Sequence, residues 1–73
     1  MEEQYRICIS SPPDRRALVA EIFFGTFQWA ELSQDGEQPK AEFYSRPDGK
    51  PWEISLRAAQ GALRAAKKRL LGG

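Results

Sequence analysis

The stretch from Leu18 to Leu32, LVAEIFFGTFQWAEL, is the most apolar part of this chain and limits what it can fold into. Leu18, Ala20, Ile22 and Phe24 alternate with Val19, Glu21 and Phe23, the period-two signature of a strand. Gly25-Thr26 reads as a tight reversal, because glycine supplies the positive φ that a two-residue hairpin loop needs. Thr26 to Ser33 continues as a second strand, with Phe27, Trp29 and Glu31 on one face and Gln28, Ala30 and Leu32 on the other. A two-stranded ribbon in isolation is marginal in water. The rest of the chain must therefore cover this aromatic hairpin.

The residues around it supply the cover. Gln4 to Ser10 alternates as a strand, with Tyr5, Ile7 and Ile9 opposed by Arg6 and Cys8. Ser10-Ser11-Pro12-Pro13-Asp14 breaks it, since consecutive prolines remove backbone donors. Arg15-Arg16 leads into the hairpin. The polar segment from Gln34 to Pro39, with its Asp35-Gly36 pair, ends the third strand. Lys40 to Arg46 makes a fourth, with Ala41, Phe43 and Ser45 opposed by Glu42, Tyr44 and Arg46. Pro47-Asp48-Gly49 is turn chemistry, and Pro51 sets the approach of Trp52, which should fold back over the sheet or the helix start. Ser55 is an N-cap with an incomplete capping box, because position 58 is alanine. From Leu56 to Leu71 the spacing is helical: Leu56, Ala59, Leu63, Ala66 and Leu70 form one stripe, and Gly72-Gly73 ends it. The expected fold is α+β, a four-stranded antiparallel β-meander packed by one C-terminal helix, with residues 1–73 as a single domain.

At 73 residues the chain lies near the size at which one core sustains a fold, so a partner or a homodimer is a reasonable source of extra stability. A net charge of +1 favours neither nucleic acid nor a membrane surface over the molecule as a whole. The single cysteine, Cys8, cannot form an intramolecular disulfide, which suits a reducing, cytoplasmic setting. The opening MEEQYR has no apolar core of a secretory signal, and no apolar run approaches the roughly 20 residues of a membrane helix. Histidine is absent, which removes the commonest general base and metal ligand.

Three groups of residues are candidates for function. The first is the basic helix: residues 1–53 hold ten acids and six bases, whereas 54–73 hold five bases and no acid. Arg57, Arg64 and Lys68 share one stripe with Gly61 between them, and with Lys67 and Arg15-Arg16 they could meet phosphates. The order of strands and helix is comparable with the last part of a double-stranded-RNA-binding domain. That family carries its lysines at the helix start, where this chain has Glu53-Ile54-Ser55-Leu56-Arg57, so its RNA-contacting residues do not transfer. The second group is the alanine face, Ala58, Ala59, Ala62, Ala65 and Ala66, where small side chains would admit a second helix, for instance from a twofold-related copy. The third is the set of rings Phe23, Phe27, Trp29, Tyr44 and Trp52, too many for one sheet face under one short helix. Some should lie on the open face, beside Glu21, Glu31 and Glu42, as anchors for a protein partner.

Catalysis has little support. Cys8 has no histidine to activate it, a Glu21–Glu31 pair is more often a solvated face than an acid–base couple, and neither a phosphate loop nor metal-ligand spacing is present. No enzyme activity and no cofactor are therefore expected. The segments Trp29-Ala30-Glu31-Leu32-Ser33 and 43–52 (FYSRPDGKPW), together with the final basic helix, resemble a group of small, largely uncharacterised bacterial proteins built as a β-meander with a C-terminal helix. Some proteins of this size and shape neutralise toxins by binding them, so the resemblance implies a stoichiometric protein binder and assigns no site residues. The function expected from the sequence is a non-catalytic interaction module using an aromatic sheet face, with nucleic-acid binding by the basic helix as the alternative.

Overall fold

The structure is a computed structural model and describes residues 4–14, 17–34, 36 and 38–72. The elements follow in the order β1 (Tyr5–Ser10), β2 (Val19–Phe24), β3 (Phe27–Ser33), β4 (Lys40–Phe43) and α1 (Leu56–Leu71). The four strands form one antiparallel sheet in sequential order, the expected meander. Arg15-Arg16 and Asp35, named above in the loops, lie outside the described residues.

The β2–β3 hairpin closes through Gly25-Thr26, with Phe24 opposite Phe27. Gly25 has φ 65° while Thr26, like every other described non-glycine residue, does not have positive φ, so the loop has the backbone pattern of a type II′ turn. The alternation expected along β3 fails at one residue. Ile22 is opposite Ala30 but Phe23 is opposite Gln28, which leaves Trp29 as the extra residue of a β-bulge. Phe27 therefore stays on the side of Phe24, and Trp29 joins Ala30 and Leu32 on that side instead of sharing a face with Glu31.

This side carries the core. Ala20, Ile22, Phe24, Trp29, Ala30 and Leu32 pack with Ala62 and Ala66 of α1, and Ile7, Ile9, Trp52 and Ile54 close the margins. Phe24 and Trp29 meet edge to face with ring centroids 5.2 Å apart. The helix sits most deeply on alanines, while Leu63 and Leu70 of the expected stripe pack at the margin of the core and Leu56 falls outside it. Ala62 and Ala66 are fully buried, Ala58 and Ala59 flank them, and Leu63 and Leu70 are half-buried. Small side chains let the helix axis approach a sheet that already carries bulky rings. The alanine face is thus used inside the molecule, not left for a second helix.

Both helix ends are closed as the sequence predicts. Ser55, in the β region (φ −59°, ψ 145°), accepts from the Ala58 amide at 3.0 Å, and Gly72 at φ 68° donates its N–H to the Lys68 carbonyl. The fourth strand is shorter than expected. Lys40–Phe43 pairs with β3, and the Tyr44 amide adds a last bond to the Trp29 carbonyl at 2.9 Å before Ser45 and Arg46 leave the sheet.

Candidate protein-interaction surface

The loop after β4 fixes two of the candidate rings. The Gly49 amide returns to the Arg46 carbonyl at 3.1 Å, and Gly49 has φ 77°, a position where proline, aspartate and glycine each suit the turn. Asp48 accepts both guanidinium bonds of Arg46, at 2.6 and 3.1 Å, and the Lys50 amide at 3.0 Å. The Arg46 hydrogen bonds, then the Lys50 amide, hold the Asp48 carboxyl below its ordinary range. Held this way, the Arg46 guanidinium lies 5.3 Å from the Phe27 ring centroid and 5.6 Å from that of Trp52. Trp52 folds back, as expected: its Nε1 donates to the Tyr44 carbonyl at 2.8 Å and its ring approaches Phe24 and Phe27.

The five rings proposed as one face therefore separate. Trp29 is 9 % exposed and belongs to the core. Phe27 and Trp52 are half-buried against each other and Arg46, at the hairpin end of the sheet. Tyr44 is exposed, with both of its backbone groups bonded. Phe23 lies on the face away from α1 and is covered by Arg6, whose guanidinium carbon is 4.6 Å from the ring centroid. Among the described strand residues, that face carries Phe23 as its one aromatic and a cross-strand row of Cys8, Glu21, Glu31 and Glu42, with Val19, Glu31 and Ser33 buried on it. The expected aromatic sheet face is thus not on the side away from α1. The bulge turns Trp29 inward, and the two-residue turn places Phe27 beside Phe24.

The bare apolar surface is on the other side. α1 packs on β1, β2 and β3 but not on β4. Phe43, opposite Ala30 in the register, shares the core side of the sheet yet is 60 % exposed, and the adjacent Ala41 is exposed too. The Phe43 ring meets Trp29 edge to face at 5.4 Å, so it continues the core outward as a shelf. Gly61 touches Tyr5 of β1, which turns the opposite flank of α1 away from β1. That flank holds Leu56, Leu63 and Leu70, seven residues apart, and Leu56 is 72 % exposed. No single residue pattern named this surface beforehand. The signal was present in two unconnected places, Phe43 on a short strand and a leucine line on the helix.

The cations occupy the outer side of α1. Arg57, Arg64, Lys67 and Lys68 are all exposed, and Arg57 and Arg64 line a shallow cleft with Tyr5, Ser55, Gln60 and Gly61. Arg69 reaches back instead, donating to the Ile7 carbonyl of β1 at 2.8 Å. Among the described residues, no three Cys, Asp or Glu side chains gather as a metal site, and no helix is long and apolar enough to cross a membrane. Compared with protein-family models, curated proteins and solved structures, the chain matches none of them.

Proposed function

We infer that this chain is a non-catalytic interaction module that binds a protein through the strip of β4 and the leucine flank that α1 leaves uncovered. The observation that supports this reading is Phe43: a ring continuous with the core, on the helix side of the sheet, with most of its surface in water. A large ring anchored at one edge and open at the other is what an interface needs, since a few such anchors within a polar rim carry most of the binding energy. The basic outer side of α1 supports a second reading, phosphate binding, through the pairing of Arg57 and Arg64 around the Tyr5 cleft.

One experiment separates them. The tagged chain is used as bait in nuclease-treated lysate of its native cell at moderate salt, beside Phe43→Lys and Arg57→Glu/Arg64→Glu variants. The interaction module retains a discrete protein that Phe43→Lys loses and the double variant keeps. Retention that vanishes with nuclease, or that ignores Phe43→Lys, overturns it.

A further inference from the structure

The two edges of the sheet differ. The β1 edge is engaged by α1, because Arg69 places its guanidinium on the Ile7 carbonyl. β4 ends the sheet on the other side, and no described strand or helix other than β3 contacts it. The hydrogen-bond alternation shows which β4 groups face outward. Tyr44 bonds to Trp29, its register partner, so Lys40 and Glu42 also turn their backbone groups toward β3. The N–H and C=O of Ala41 and Phe43, and the C=O of Pro39, then point away from the sheet. Natural proteins blunt such edges with proline, charge or cover. Here the edge is four residues long, flanked by Pro39, and carries one lysine and one glutamate on the same face.

We propose that the partner is a second copy of this chain, joined β4 to β4 in antiparallel fashion about a twofold axis through Ala41. This rests on the interaction-module reading and names the occupant of that surface. The charges select the register. With the axis at Ala41, Lys40 stands directly across from the partner's Glu42, and the symmetry repeats the pair. An axis at Glu42 sets Glu42 against the partner's Glu42, and an axis at Phe43 leaves Lys40 opposite position 46, which has already left the sheet, so it gains no cross-strand partner. The Ala41 register is the one of the three that pairs opposite charges, and like charges directly opposite are destabilising. It also suits the proline. The Ala41 residues exchange their bonds with each other, and each Phe43 N–H reaches the partner's Pro39 carbonyl, so the position without an N–H serves as an acceptor. Because α1 stops short of β4, the partner's strand enters without meeting the helix, and the two exposed Phe43–Ala41 strips become neighbours on one continuous sheet.

The test uses complementary charge reversal in the full chain, read by sedimentation, with circular dichroism confirming that each variant is folded. Lys40→Glu by itself sets glutamate against glutamate, Glu42→Lys by itself sets lysine against lysine, and each weakens self-association at least about tenfold. Mixing the two variants restores a heterodimer of wild-type affinity, because every cross-strand pair is again opposite in charge. A variant-free measurement accompanies it: the Ala41 and Phe43 amides exchange slowly in concentrated wild-type protein and fast on dilution. A wild-type chain that stays monomeric at millimolar concentration, with both amides fast throughout, overturns the second copy as partner, while loss of the captured protein in Phe43→Lys would still uphold the interaction surface. A dimer indifferent to Lys40→Glu, or a mixture that fails to reassociate, overturns the register.

Discussion

Asp48 shows how one carboxylate can position aromatic surface. It ties down Arg46, and Arg46 in turn lies against Phe27 and Trp52. A carboxyl held below its unfolded value of about 3.9 contributes at any pH above that value, and the contribution is lost as pH falls through the lower folded value. The loop should therefore be intact at neutral pH and loosen only in acid. An NMR titration of the Asp48 side chain should place its midpoint below the ordinary aspartate range, and Arg46→Gln should return it there. Gly61 makes the opposite point, that a suggestive residue can be dispensable. A Cβ at this position would stand 3.5 Å from the Tyr5 hydroxyl and 3.7 Å from its ring, ordinary van der Waals contact, and the backbone is helical. Gly61→Ala should raise stability by about 0.5–1 kcal/mol through helix propensity, measured by urea unfolding. A loss of stability would show that the Tyr5 ring cannot give way.

At the scale of elements, α1 depends on its first turn, because Ser55 satisfies an amide that Ala58 cannot repay with a capping-box side chain. Ser55→Ala should cost about 1 kcal/mol in the same unfolding measurement, and Ser55→Asp should recover it. The helix bounds, its cap, the meander and the fold-back of Trp52 were legible in the sequence, because each follows from a local pattern: period two, a turn dipeptide, a cap. Two features were not legible, and both reshaped the candidate site. Trp29-Ala30 is apolar in either register, so the alternation does not show where a bulge inserts a residue, and the error passed to every ring assigned to a face. The helix has two apolar lines, alanines and leucines, and periodicity cannot tell which one a sheet crowded with Phe24 and Trp29 will admit. Volume decides for the alanines. The leucines stand at the margin, Leu63 and Leu70 half-buried against the core and Leu56 exposed at the border of the proposed interface.

For the whole molecule the deciding fact is coverage. A sheet of four strands is wider than one helix, and α1 covers the β1–β2 side, leaving β4 without a layer. Small domains bury the least of their own surface and have the least stability to spare. Any partner that binds the folded chain adds to that stability in proportion to the logarithm of its concentration. If a second copy supplies the missing neighbour, the melting temperature of the wild-type chain must climb as the protein is concentrated. Phe43→Lys should remove that climb while lowering the dilute-limit melting temperature by only a few degrees, since the ring has one edge on Trp29 and the rest in water. Calorimetry over a wide range of concentration distinguishes the two effects. A concentration-independent melt in the wild type would mean that the core formed by Ile22, Phe24, Trp29 and the helix alanines suffices without a partner, and that the bare strip serves a different protein.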